Sequence, residues 1–244
     1  MKKIIVLGII VSATIFASEH ATAHWTYSGD TGPSHWGELN PKYEMCKKGV
    51  NQSPIDVTGF VEADLTPLKF EDKGLSEEFV NNGHTVKVSF KKGSQLTVDG
   101  KEFDLIQYHF HTPSENHIDG KSYPMEAHLV HASNDGELAV VALMFEKGEA
   151  NKALEPLVKK MPMKAEDKSS MEEEKLTPYT ILPKDRDHYR FNGSLTTPPC
   201  SEGVRWFVIK KPVSISQEQL KVFHDATGTN NRPLNPLGAR KVMK

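Results

Sequence analysis

The sequence predicts one β-dominated domain of the α+β class with only short helices. Three observations lead there. Several segments alternate apolar and polar residues with period two, two runs of strand length are apolar throughout, and helical spacing is confined to two brief stretches.

Residues 1–23 stand apart from that domain. Lys2 and Lys3 form a basic start, and residues 4–17 are almost wholly apolar yet too short to span a bilayer. Ala21-Thr22-Ala23 then supplies the small-x-small pattern that signal peptidase cuts after. The expectation is a secretory signal peptide over residues 1–23 and a single domain over residues 24–244. No later segment is apolar enough to cross a membrane, so the mature chain is expected to be soluble and exported, periplasmic or secreted.

Within the domain, residues 86–90 (VKVSF) alternate as a strand. Residues 95–98 are expected to pair with them as a hairpin ahead of Asp99-Gly100. QYHFH (107–111) and MEAHLVH (125–131) read as two more strands. LAVVALMF (138–145) and VRWFVI (204–209) read as apolar strands. Residues 149–160 carry helical spacing in Ala153, Leu154, Leu157 and Val158. Residues 216–226 start with Ser216 as a cap and place Leu220 and Phe223 on one face. KAEDKSSMEEEK (164–175) reads as a solvated loop or short helix.

About 220 residues, with aromatics at 8% and charged residues at 25%, can build one large β-rich core. The net charge of −2 offers no electrostatic case for nucleic acid or anionic lipid. Cys46 and Cys200 are the only cysteines. In an exported chain a disulfide is expected ahead of free thiols or metal ligation by the pair.

The histidines carry the chemistry. On a strand Gln107, His109 and His111 share one face, while Tyr108 and Phe110 take the other. Two imidazoles so placed can converge on one ion, and a catalytic zinc needs a third ligand plus an open position. In the second strand Glu126, His128 and Val130 share a face and His131 lies opposite. His128 is therefore assigned to the metal and His131 to structure. Gln107 and Glu126, each two residues before a proposed ligand, could fix that ligand's second nitrogen. The helical H-E-x-x-H signature of other zinc hydrolases is absent, as are the His-rich or acidic tracts of a metal carrier.

With these residues in place, the chain resembles the bacterial, exported α-class carbonic anhydrases over residues 24–236. The matching pieces occur in one order: HWTY, GPSHWGEL, NQSPID, VNNGH, QYHFHTPSEN, YPMEAHLVH, LAVVALM and GSLTTPPCSEGVRW. The resemblance implies a large, mainly antiparallel twisted central sheet with short peripheral helices. It implies a Zn2+ cofactor and reversible hydration of carbon dioxide to bicarbonate, by attack of a zinc-bound hydroxide with a histidine proton shuttle.

Residue by residue, the resemblance makes His109, His111 and His128 the zinc ligands and Gln107 and Glu126 the groups that orient two of them. Thr196 matches the hydroxyl that accepts a hydrogen bond from the hydroxide, and Glu115 matches the carboxylate that holds Thr196. Thr197 matches a second hydroxyl near the substrate, His84 the proton shuttle, and Tyr27 a member of the water network. Val130, Val140, Leu195, Val204 and Trp206 match the apolar carbon dioxide pocket, and Cys46 and Cys200 match the disulfide pair. There are two departures. Asn116-His117 follow Glu115 where many relatives place His directly, and Lys87 stands where many carry a smaller polar residue. The small-molecule substrate pair is the expected partner, and a homodimer is compatible with the sequence. A scaffold that has lost catalysis is disfavoured, because all three ligand positions hold His.

Overall fold

The run LAVVALMF lacks polar alternation because both of its faces are covered. The computed structural model, which describes residues 24–244, puts strand Leu138–Lys147 inside a thirteen-stranded sheet. Ala139, Val141, Leu143 and Phe145 enter the larger of two apolar clusters; Val140, Ala142 and Met144 enter the smaller one. Strand Glu202–Ile209 divides alike, with Phe207 and Ile209 in the first cluster and Val204, Trp206 and Val208 in the second. Each such fully buried side chain contributes roughly 1.5–3 kcal/mol. The expected signal peptide lies outside the described residues.

Across the sheet the main path runs through strands Lys168–Ser170, Ser76–Asn81, Val86–Phe90, Lys101–His111, Met125–Ala132, Leu138–Lys147, Glu202–Ile209 and His188–Ser194, ending at Val242–Met243 and Phe60–Val61. Leu138–Lys147 pairs in parallel with Glu202–Ile209 and Val213–Ile215, and Val242–Met243 in parallel with Phe60–Val61. Its other ladders are antiparallel. This is the mainly antiparallel sheet with some parallel pairing that the sequence led one to expect.

Three local expectations are corrected. Gln95–Val98 does not pair with Val86–Phe90. It pairs with Lys101–His111 and Lys69–Glu71. Asp99 (φ 53°) and Gly100 (φ 72°) are both left-handed, the backbone of a tight hairpin turn, and they fold the chain straight back onto the next strand. Val86–Phe90 pairs farther along that same eleven-residue strand, at Gln107 to His109.

The helix expected over 149–160 is shorter. Asn151 caps a 3-10 turn at Lys152–Leu154, and the α-helix covers Glu155–Lys159, with Pro156 confined to its first turn because it has no N–H to donate. The charged stretch 164–175 is not all loop or helix. Lys168–Ser170 forms an edge strand against Ser76–Asn81, and Met171 is buried behind it. The Ser216 cap is as expected: Gln217–Thr227 is a helix whose capping box joins Ser216 to Gln219.

The segment before the sheet is fastened from two sides. Cys46 and Cys200 form the disulfide, across 154 residues. The buried Arg232 guanidinium donates to Cys46 O (3.0 Å), Ser53 O (2.8 Å) and Gln52 Oε1 (2.9 Å), and Gln52 Nε2 donates to Cys200 O (3.0 Å). The disulfide thus braces the loop that carries Thr196 and Thr197. A cross-link closing so long a loop stabilises by up to about 5 kcal/mol in the chain-entropy model. Reduction, or the pair Cys46→Ser with Cys200→Ser, should lower unfolding free energy by about 2–5 kcal/mol in denaturant titration; an unchanged midpoint would show that the bridge adds nothing.

Candidate metal centre

The ladder register assembles the site. His109 stands opposite His128, His128 opposite Ala142, and Ala142 opposite Val208. Lys87 extends this rung on the other side, opposite His109. One rung along, Ser89, Gln107, Val130, Val140, Trp206 and Phe191 face one another in turn. On the next rung in the other direction, His111 meets Glu126, which meets Met144. Opposed residues project to the same face about 5 Å apart, so three histidines from two strands meet by register alone. Tyr108 and Phe110 point the other way, into the larger core.

The ligand atoms of His109, His111 and His128 all lie within 4.8 Å of one another. Each ring has its other nitrogen beside an acceptor. His109 Nδ1 bonds to Gln107 Oε1 at 3.0 Å, and His111 Nδ1 to the Asn230 carbonyl at 2.7 Å. His128 Nε2 sits 2.9 Å from Glu126 Oε1, although the ring N–H does not aim straight at that oxygen. An N–H spent on an acceptor leaves a lone pair on the opposite nitrogen. The nitrogens left to converge are His109 Nε2, His111 Nε2 and His128 Nδ1, and His111 Nε2 is buried with no partner.

Electrostatics keep the rings neutral. Burial, then the neighbouring His111 and His128 and the charge of Lys87, holds His109 well below the usual imidazole range. Burial and His111 do the same to His128. Burial lowers His111, against the pull of the Asn230 carbonyl and Glu126. Three neutral imidazoles, His111 and His128 buried and His109 half-buried, with converging lone pairs are the donor set of a tetrahedral zinc site with one position open, so the residues present fit that ion.

Two carboxylates are buried behind them. Glu126 accepts from the backbone N–H of Glu115 (2.7 Å) and Asn116 (2.8 Å) and from Asn116 Nδ2 (2.8 Å). Burial raises its pKa and these donors oppose the rise. Glu115 Oε1 accepts from Arg232 N at 2.8 Å. Burial pushes Glu115 up to about 8, while Thr196 and the Arg232 N–H pull it back. No well-aligned hydrogen bond reaches Glu115 Oε2, which lies 3.5 Å from His111 Nε2. Asn116 is fully buried and also accepts from Ile55 N, so it fills the buried position after Glu115. His117 is left half-buried on a small peripheral ladder beside Asp56.

Above the histidines opens a cleft of about 230 Å³ lined by Trp25, Tyr27, His84, Lys87 and Thr197, among others. Asn82 Oδ1 accepts from the backbone of His84 and Thr85 and shapes the turn that presents His84. The His84 ring stacks on Trp25 with centroids 3.7 Å apart and planes 7° apart. Burial and the nearby His24 lower its pKa. Burial, then the charge of Glu115, raises Tyr27 well above the usual phenol range. Val140, Val204 and Trp206 sit in the smaller apolar cluster, with Val130 and Leu195 packed on it. That cluster reaches the ligands through Trp206, edge-on to His128 at 4.9 Å.

The histidines, carboxylates, hydroxyls and apolar residues that the sequence assigns to the site fall in it or against it, while the two cysteines brace its loop and His117 lies on a peripheral ladder. His131 lies on the opposite face, bonded to Tyr179 at 3.0 Å, as expected. Two residues were missed. Asn230 gives its carbonyl to His111, accepts from Thr112 N (2.7 Å), and donates to Phe110 O (2.9 Å) and His84 O (3.1 Å). Arg232 holds Glu115 through its backbone. Both lie in irregular chain, which has no periodicity to read, and both join the site through a main-chain atom while their side chains bond to distant segments.

The sequence profile of the eukaryotic-type carbonic anhydrase family matches residues 31–244. A carbonic anhydrase of Pectobacterium carotovorum is 41% identical, with 100% of both chains covered. One from Klebsiella pneumoniae is 43% identical over 96% of this chain and 94% of its own. Among solved structures, the α-carbonic anhydrase of Thermovibrio ammonificans in complex with sulfanilamide superposes with a TM-score of 0.89 at 49% identity, covering 92% of this chain and 100% of that one.

Glu126 is the most heavily used acceptor behind the ligands. Glu126→Ala should lower the unfolding free energy of metal-free protein by about 3–5 kcal/mol in urea, because it leaves buried donors unpaired. A loss below about 1 kcal/mol would show that those amides find other partners.

Proposed function

The chain belongs to the α-class carbonic anhydrase family, whose general reaction is the hydration of carbon dioxide, and we propose that it performs this reaction with a zinc ion held by His109, His111 and His128. The observation that carries the reading is the set of three neutral imidazoles, two buried and one half-buried, each with one nitrogen beside an acceptor and the other turned to a common point. Bound zinc would supply Lewis acidity that lowers the pKa of a water on it to about 7, a value general to carbonic anhydrases.

The chain's own residues do the rest. Gln107, the Asn230 carbonyl and Glu126 fix the tautomers, so the lone pairs are ready without reorganisation. A positive charge beside Glu115 favours its ionised form against burial. Ionised Glu115 can only accept, so Thr196 donates its proton to Glu115 and its oxygen is left to accept from the reacting group. That pair excludes species without a proton to give. Val130, Val140, Leu195, Val204 and Trp206 offer carbon dioxide, which has no charge to recognise, a dry apolar surface. Thr197 adds a hydroxyl at the cleft and Tyr27 a phenol that stays protonated.

His84 carries the proton out. Its lowered pKa leaves it neutral at neutral pH, able to accept, and half-buried at the mouth, able to release to buffer. The disulfide fits an exported protein, and among the described residues no helix is long and apolar enough to cross a membrane. We infer export directed by residues 1–23 and action in the periplasm or outside the cell.

Mature protein should bind one zinc per chain and hydrate carbon dioxide in stopped flow, and His128→Ala should lose both; turnover without bound metal would overturn the ligand assignment. His84→Ala should cut turnover roughly tenfold or more in weak buffer, with partial rescue by imidazole and little change in kcat/KM. The His84-dependent part should be full above about pH 6.5 and fade as pH falls through its lowered pKa, where the ring is already protonated. A His84→Ala profile that matches the parent protein in weak buffer would rule out the shuttle.

A further inference from the structure

The cleft above the histidines has an electrostatic asymmetry that its uncharged substrate does not need. Its lining residues include no aspartate or glutamate. The one permanently charged group among them is the Lys87 ammonium. The carboxylates behind the histidines, Glu115 and Glu126, are buried at 1% and 0% exposure and committed to backbone donors. Among the described residues Lys87 has neither a hydrogen-bond nor an ion-pair partner. It is half-buried, opposite His109 on the rung that carries the ligands. The chain as a whole has net charge −2, and the cleft keeps an uncompensated cation.

From this geometry we infer that Lys87 is an anion-holding residue of the cleft, recognising small monovalent anions, with the bicarbonate product as the natural member of that class. The inference rests on the zinc reading above, since the anion would sit between the ammonium and the position the histidines define. Carbon dioxide has no charge for Lys87 to attract, so the residue discriminates between the two sides of the reaction. Opposite charges a few ångströms apart in a partly aqueous cleft attract by an amount equivalent to roughly three- to tenfold in affinity, and added salt screens it. Lys87 would hold bicarbonate longer and make the enzyme sensitive to inorganic anions. The overall equilibrium constant ties together the kcat/KM values of the two directions. A change in anion affinity therefore cannot alter the ratio of those two values, and it shows directly in anion binding.

The test uses cobalt(II)-loaded mature protein titrated with thiocyanate and followed by its visible spectrum, which reads anion binding without turnover. At low ionic strength Lys87→Gln should raise the thiocyanate Kd roughly three- to tenfold, Lys87→Arg should stay within about twofold of the parent, and the gap should close toward one near 0.5 M inert salt. Equal Kd values for the parent and Lys87→Gln at low salt would overturn the inference and leave the metal reading intact. A parent protein that takes up no cobalt would remove the metal reading, and this inference with it.

Discussion

Everything at the candidate centre depends on one cross-strand register, that of Lys101–His111 against Met125–Ala132. With His109 opposite His128, the two ligands are brought to contact distance by backbone hydrogen bonds shared across the ladder, before any side chain acts. A slip of one residue would send His109 and His111 to the face now held by Tyr108 and Phe110, and bury those imidazoles in the larger core. The aromatic pair on one face therefore protects the histidines on the other. The irregularity between Leu105 and Gln107 lets a long strand bend while keeping this pairing from Gln107 onward.

Burial of polar groups follows from that placement and has to be satisfied locally. Three imidazoles and two carboxylates lie at the sheet surface under the cleft with almost no water. The rings remain neutral because burial and mutual repulsion remove their protons. The carboxylates are covered by donors from neighbouring backbone, including Asn116 and Arg232. Among the buried polar atoms left without a partner, His111 Nε2 and Glu115 Oε2 lie 3.5 Å apart at this centre, and a bound cation would give His111 Nε2 the partner it lacks.

The two sides of the centre divide the chemistry. One is the apolar cluster around Trp206, continuous with the core and suited to an uncharged molecule. The other is the cleft with His84, Tyr27, Thr197 and Lys87, suited to proton and anion traffic. Residues far apart in the chain keep the two sides aligned: Asn230 links His84 to the ligand strand, and Arg232 links Glu115 to the disulfide segment.

How much of this could be read beforehand follows from the range of each interaction. Period-two alternation and short apolar runs are properties of neighbouring residues, so the strands, the faces of His109, His111, His128 and His131, and the Ser216 cap were legible in the chain itself. Order and identity of motifs marked Glu115, Thr196 and His84, whose spacing alone would have left them as a loop acid, a loop hydroxyl and a turn histidine. Pairing is different in kind. Gln95–Val98 has the composition to join either neighbour, and only the left-handed Asp99-Gly100 turn and the length of Lys101–His111 direct it away from Val86–Phe90. Lys168–Ser170 reads as charged loop because an edge strand buries little, and its partner lies some ninety residues earlier. Asn230 and Arg232 meet His111 and Glu115 through main-chain atoms, which every residue possesses, and their side chains bond to segments more than a hundred residues away, so their roles exist only once the chain has folded. The sequence by itself determined which residues could do chemistry and which face of a strand each would occupy. Tertiary structure alone decided which strands meet, in what register, and which backbone groups close the site, because those depend on contacts between separate segments, from about twenty residues apart at the histidine register to more than a hundred at Asn230 and Arg232.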